Sequence, residues 1–368
     1  MGPLRSDQDT VLARRHSRRS VLLAAGPALA AVGLVGVGYG PRHIGLGEPT
    51  GDRALADALR PHLRGRHHVA VAVLEPGRTR FAGFGADEHT EFEVASISKT
   101  FTAATTMDAV EMGAVTLDTT VADILGARAS GSALADTTLA DLASHTAGLP
   151  STDPRQIMRT LTAAFLRKDP YRGSSEEVID IALGAELQTP GEHSYSNLSV
   201  AVLAHLVAKA TGIPWVEHLA MITERLDQTN TWAPLTQDRL PADAPRGHDA
   251  AGRAAQPWVM QGWAPAGGVR STAADLARNL RSMMDGSNPG SRGLDPLVRR
   301  DGGRTVGVCW ITDPLESGGT LTWHNGTSHG FTSFHGYTDD GRGVVLLADS
   351  VPDLDALALD IIEQKVAV

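Results

Sequence analysis

Apolar and polar positions fall into three blocks along the chain. In the first, Asp52 to Leu63 carries helical spacing, and Val69 to Leu74 and Thr79 to Gly83 form a strand pair about a turn at Pro76-Gly77. The middle block is helical. Leu139 to Ser144, Ile157 to Arg167, Glu176 to Leu187, Leu198 to Ala210 and Trp215 to Leu226 repeat apolar residues at helical intervals. Residues 233–268 are rich in Pro, Gly and Ala and are expected to form loops, after which Ala273 to Met284 is a helix with Thr272 near its cap. The last block returns to strands at Arg304 to Thr312, Thr320 to Trp323, Thr332 to Tyr337 and Gly343 to Leu347, and closes with a helix from Leu354 to Val366. Strands at both ends with helices between predict an α+β fold. An antiparallel sheet flanked by helices forms one discontinuous lobe, about residues 52–114 and 245–368, and a helical lobe, about 115–244, is inserted in it. The boundary between the lobes is a natural cleft.

The segment before the fold has a different character. Arg14, Arg15, Arg18 and Arg19 precede an apolar run from Val21 to Tyr39, and Ser17-Arg18-Arg19-Ser20-Val21-Leu22 resembles a twin-arginine export signal. Residues 1–40 are expected to be such a signal or a single N-terminal membrane anchor, and 41–51 a linker. Either way the body of the chain is expected outside the cytoplasmic membrane. The net charge of −9 argues against nucleic acid as the main partner. Cys309 is the only cysteine, so an intrachain disulfide and a cysteine-based metal site are both excluded. It sits in Val306 to Ile311, an expected buried strand.

Lysine is scarce here. Of 33 basic residues only Lys99, Lys168, Lys209 and Lys365 are lysines, and Lys99 alone has a serine three residues before it. Ser96 and Lys99 would share one face of a helix, about 5–6 Å apart at Cβ. The run from Thr100 to Met112 reads as a buried helix ending at Gly113, which places Ser96 at a helix N-terminus. A serine hydroxyl needs a neighbouring base to become a nucleophile, and a desolvated lysine can serve. Alone, the tetrad also fits an N-capped helix with a surface lysine. Two further clusters carry suitable chemistry: Tyr195-Ser196-Asn197 at the start of a helix, and His324-Asn325-Gly326-Thr327 at the end of a strand. Taken singly, these fit a core phenol, a helix cap, a structural histidine and a bulge. His324, His329 and His335 match no zinc spacing, and His67-His68 and His145 read as structural, so no metal is expected.

In this order the motifs Ser-x-x-Lys, Tyr-x-Asn and His-x-Gly resemble those of the penicillin-recognising serine hydrolases. These include class C β-lactamases, D-alanyl-D-alanine carboxypeptidases, D-aminopeptidases and β-lactamase-like esterases. Leu142 to Pro150, Ala266-Gly267-Gly268 and Trp323 to Gly336 also look like this family, and the resemblance covers about residues 52–368. It implies a beta-lactamase/transpeptidase-like fold and an exported serine hydrolase that forms an acyl-enzyme without a cofactor. By the same resemblance Ser96 attacks, Lys99 and Tyr195 share the proton transfers, and Asn197, His324, Asn325, Gly326 and Thr327 bind a small-molecule or peptide substrate. The oxyanion would lie between the N–H groups of Ser96 and Thr327. His324 replaces the lysine of the family's β-lactamases. Its charge is expected to appear near pH 6.5, and recognition of substrate carboxylates would rest on another cation such as Arg270. A biosynthetic acyltransferase and a penicillin-binding sensor that never turns over use the same acyl-enzyme.

Overall fold

The computed structural model describes residues 45–153, 157–366 and 368. The twin-arginine stretch and the apolar run after it lie outside the described residues. The strands are β1 (Pro49–Gly51), β2 (Val69–Glu75), β3 (Arg78–Phe84), β4 (Phe92–Glu93), β5 (Arg270–Ser271), β6 (Val298–Arg299), β7 (Thr305–Val306), β8 (Ile311–Pro314), β9 (Thr320–Thr327), β10 (Thr332–Thr338) and β11 (Gly343–Ala348). The helices are α1 (Arg53–Leu59), α2 (Ser98–Glu111), α3 (Val121–Leu125), α4 (Leu139–Ala143), α5 (Ile157–Leu166), α6 (Ser175–Leu183), α7 (Asn197–Thr211), α8 (Trp215–Arg225), α9 (Ala264–Gly267), α10 (Ala273–Asp285) and α11 (Asp355–Ile362).

Nine strands form one antiparallel sheet in the order β1-β3-β2-β11-β10-β9-β8-β7-β6, and β4 pairs with β5 apart from it. Residues from the two ends of the chain meet where β2 pairs with β11, Val71 opposite Leu346. A sheet covered on both faces needs apolar residues at every position, and β2 has them from Val69 to Leu74. Val69, Val71 and Val73 share a core with Leu55 and Leu59 of α1 and Ile361 of α11. Ala70, Ala72 and Leu74 face the other core, with Phe101 of α2 and Leu276 and Leu280 of α10.

Helix α2 runs through that second core and is buried from Ser98 to Ala109. Its threonines stay satisfied there by returning their hydroxyls to the backbone. Thr100 Oγ1 donates to the Ile97 carbonyl and Thr106 Oγ1 to the Thr102 carbonyl, both at 2.8 Å. The helix closes at Gly113, in the left-handed region at φ 71°.

Several of the expected elements are altered. Residues 49–51, expected within a linker, are strand β1, with Thr50 opposite Gly83 of β3. The first helix ends at Leu59 because Pro61 has no N–H to continue it. The expected strand from Arg304 to Thr312 breaks into β7 and β8. Cys309 adopts φ 57°, and the N–H groups of Val308 and Cys309 leave the sheet to bond the carbonyls of Gly293 (2.7 Å) and Ala143 (3.1 Å). Burial pushes the Cys309 thiol up to about 12, so it is inert. The expected loop at 233–268 closes in α9, which is too short to show a period. No single helix among the described residues is long and apolar enough to cross a membrane.

Candidate active site

The β4–β5 pair delivers the chain to Ser96 through one tight turn. Ala95 takes the left-handed region at φ 45°, a conformation that costs a non-glycine residue about 1–3 kcal/mol, and the turn Ala95–Ile97 runs directly into α2. Ser98 holds the turn closed: its Oγ donates to the Ala95 carbonyl (2.6 Å) and accepts from the Val269 N–H (2.9 Å). Ser96 is left half-buried, while Lys99, one turn on, is fully buried.

Lys99 Nζ has three oxygen partners: the Ala266 carbonyl of α9 at 2.6 Å, Asn197 Oδ1 at 2.8 Å and Ser96 Oγ at 3.0 Å. None is a carboxylate, and burial lowers the lysine to about 7. A neutral amine has two N–H bonds and one lone pair. The carbonyl and the amide oxygen can only accept, so they take the two N–H bonds and the lone pair faces the Ser96 hydroxyl. Tyr195 donates its hydroxyl to Ser96 Oγ at 2.8 Å, and Lys99 Nζ lies 4.8 Å from the Tyr195 ring centre. The four groups therefore form one connected hydrogen-bond network around a half-buried serine.

Helix α7 explains why Asn197 is available. Its N-cap is Ser196, whose Oγ accepts from the Ser199 N–H at 3.0 Å, so the Asn197 side chain is not spent on capping. His145, expected to be structural, packs its ring 4.7 Å from that of Tyr195, and its Nδ1 accepts from the Ser196 N–H at 3.2 Å. Burial holds His145 well below the usual imidazole range, and it buttresses the Tyr195–Asn197 segment as a neutral ring.

Sequence reasoning missed Tyr171. Its hydroxyl accepts from Asn197 Nδ2 at 3.0 Å, which fixes the amide with its oxygen toward Lys99. Burial pushes this phenol up to about 12. Its ring is wedged between Trp258 and Trp263, at 5.5 and 5.4 Å. Asp169 sets the height of this wall by accepting from the N–H groups of Tyr171, Val259 and Met260 at 2.9–3.0 Å. Tyr171→Phe keeps the ring and strands the Asn197 N–H. An unmade buried bond costs about 1–3 kcal/mol, so kcat is expected to fall about 5- to 100-fold with KM little changed, as steady-state kinetics would show.

Strand β9 forms the opposite wall. Its pairing with β8 ends at Trp323, so residues 324–327 present an open edge. Ser328 N–H bonds the Phe331 carbonyl across the β9–β10 hairpin, and the alternation of an antiparallel ladder turns the Thr327 N–H away from β10. Gly326 packs on the nucleophile turn itself: a Cβ there would lie 2.8 Å from the Ser96 nitrogen. Only glycine allows this approach. Two expected substrate contacts do not hold. Asn325 points away from the cleft, donating from Nδ2 to Asp355 of α11 at 2.7 Å. His324 is buried beneath the wall and bonds its neighbour's carbonyl through Nδ1 at 2.7 Å. Burial, reinforced by Lys99, takes it down to about 3, so the expected charge near pH 6.5 is overturned and the ring stays neutral. Arg270 is fully buried and committed to Glu91 (2.5 Å) and Glu93 (3.3 Å), which leaves it no charge to offer a substrate.

A family model described as Beta-lactamase matches residues 55–367. The chain is similar to the 6-aminohexanoate-dimer hydrolase of Paenarthrobacter ureafaciens, 36% identical over 143 residues that make up 39% of this chain and 28% of that protein. It is 25% identical to a β-lactamase of Lysobacter lactamgenus over 230 residues, 59% of this chain and 55% of the relative. The chain thus spans about half or less of the curated relatives it matches. Among solved structures, a class C β-lactamase from Rhodobacter sphaeroides shares the fold with a TM-score of 0.70 at 22% identity, over 86% of this chain and 100% of that one.

Proposed function

Because the chain belongs to the Beta-lactamase family of penicillin-recognising serine hydrolases, we propose that it hydrolyses neutral amides or esters through an acyl-Ser96 intermediate. The observation that carries this reading is the fully buried Lys99 Nζ, 3.0 Å from Ser96 Oγ. In the reaction Ser96 Oγ attacks the acyl carbon as its proton passes to Lys99 Nζ. The carbonyl oxygen gathers negative charge between the N–H groups of Ser96 and Thr327. Tyr195 O–H protonates the departing amine or alcohol and recovers a proton from Lys99. Water then attacks the ester carbon in the reverse sense, giving its proton to the same network and releasing the acid and free Ser96.

The preference for neutral donors follows from charge. His324 stays uncharged, Arg270 is neutralised by its glutamates, and the half-buried Tyr171 and Trp258 rings offer an apolar surface. A substrate carboxylate beside the scissile bond would lose water without gaining a cation. This charge pattern supports an activity nearer the esterase and amidohydrolase branches than the β-lactamases. Export to an extracytoplasmic compartment belongs to the same proposal, on the strength of Ser17 to Leu22.

The test is a pair of aryl esters with one leaving group, their acyl chains alike except for an α-carboxylate, together with a β-lactam. At pH 8 kcat/KM should favour the neutral ester at least about tenfold, which corresponds to 1.4 kcal/mol. Equal or faster turnover of the carboxylate ester and the β-lactam would overturn the substrate assignment.

A further inference from the structure

A second cluster of chemistry lies behind the β9–β10 hairpin, away from Ser96. His67 and His68 lead into β2, Asp349 follows β11, and these neighbouring strands of the sheet are bonded where Asp349 N–H meets the His68 carbonyl at 3.2 Å. Asp349 Oδ1 accepts from the His68 N–H at 2.8 Å, which fixes the carboxylate and presents Oδ2 on its other side. Three ring nitrogens gather around that oxygen: His67 Nδ1 at 2.9 Å, His68 Nδ1 at 3.1 Å and His248 Nδ1 at 3.5 Å, the last also 3.2 Å from the Asp349 backbone carbonyl. The His67 ring lies 3.8 Å from that of His68 and 5.0 Å from that of His248.

A carboxylate oxygen has two lone pairs, so the two nearer imidazoles saturate it, and His248 Nδ1 turns to the Asp349 carbonyl beside it. The same set suits a cation better. Donors held about 2.0–2.1 Å from a tetrahedral metal stand about 3.3 Å from one another, and these approaches to Oδ2 bracket that spacing. The ligand atoms of His67, His68 and Asp349 all lie within 4.8 Å of each other. Imidazole nitrogens with one carboxylate select zinc-type ions over calcium or magnesium, which prefer oxygen. The histidine side chains are 19–39% exposed and Asp349 5%, which gives an ion a way in and a fixed seat.

We propose that His67, His68, His248 and Asp349 form a four-ligand site for a divalent transition-metal ion of the zinc type. Four protein ligands leave no open position, so the ion is structural and takes no part in acyl transfer. What it braces is specific. His248 N–H bonds the Gly330 carbonyl at 3.0 Å, and Gly247 packs backbone to backbone against Gly330, at the tip of the hairpin that carries Thr327. The ion ties that tip to β2 and β11. Positions 67, 248 and 349 are too far apart in the chain to form a spacing motif, so no metal was expected from spacing alone.

The full-length chain, free of any polyhistidine tag and stripped with EDTA, is titrated with Zn²⁺ against a chromophoric chelator. One ion per chain should bind with Kd below about 1 μM and raise the melting temperature. Asp349→Asn risks the fold because Oδ1 holds the His68 N–H, so the variants are His67→Gln and His248→Gln, with circular dichroism as the check on folding. Each should weaken Zn²⁺ binding on the order of 100-fold. Co²⁺ should give the intense visible bands of tetrahedral coordination. Absence of stoichiometric binding, unchanged affinity in both folded variants, or the weak bands of an octahedral ion would each overturn the site.

Discussion

Replacing Ser96 by alanine is expected to lower turnover of an activated ester about 10⁶-fold, the loss seen when a hydrolase's nucleophile is removed and the rest of its site is kept. The fold should survive. Ser96 is half-buried at the mouth of the turn, and its loss leaves Lys99 bonded to Asn197 and the Ala266 carbonyl. A circular dichroism spectrum and melting temperature close to the parent's, with steady-state rates at the background of buffer, would separate loss of chemistry from loss of structure.

Lys99→Met is the second large effect, and relative to this variant the parent should gain both activity and stability as pH rises above about 7. Without the amine no group can take the Ser96 proton, so turnover should fall at least about 10³-fold. In the parent, rate should rise as pH climbs through about 7, where burial places the Lys99 titration and the lone pair becomes free. The stability effect has a definite sign. In the unfolded chain lysine titrates near ~10.4. Between about pH 7 and 10 the unfolded state therefore binds a proton that the folded state has given up, and parental stability rises with pH relative to Lys99→Met. The slope approaches about 1.4 kcal/mol per pH unit. Below pH 7 both states are protonated and the burial penalty is fully present. Urea melts of both proteins at pH 6, 7, 8 and 9 should show a flat difference at first and then a growing parental advantage. A constant difference across the series would mean that Lys99 titrates as an ordinary surface amine.

How much of this was legible in the sequence depends on the kind of group involved. The Ser96/Lys99 pair, Tyr195 and Asn197 are side chains at fixed short spacings around helix N-termini, and the structure brings all four together. The strands β2 and β11 were visible because continuous apolar runs of that length have few other uses. The third partner of Lys99 is the backbone carbonyl of Ala266, and a carbonyl leaves no residue signature. Tyr171 was invisible for a related reason. It follows Asp169-Pro170 in a stretch without period, and its role exists only because Asp169 reaches the N–H groups of Val259 and Met260, some ninety residues on. The His324 expectation failed on electrostatics: the motif identified the position, but the charge state depends on burial and on Lys99, which only the packed structure supplies. The strand through Cys309 broke because its N–H groups found carbonyls outside the sheet.

The central claim is that acyl transfer passes through a covalent bond to Ser96 Oγ. The most direct measurement is intact mass followed by peptide mapping of the full-length chain, quenched in acid during turnover of a slowly deacylating neutral aryl ester. The account predicts one added acyl mass, carried by the peptide that contains Ser96 and absent from Ser96→Ala. An adduct mapped to another residue, or turnover retained in Ser96→Ala with no adduct at all, would contradict it.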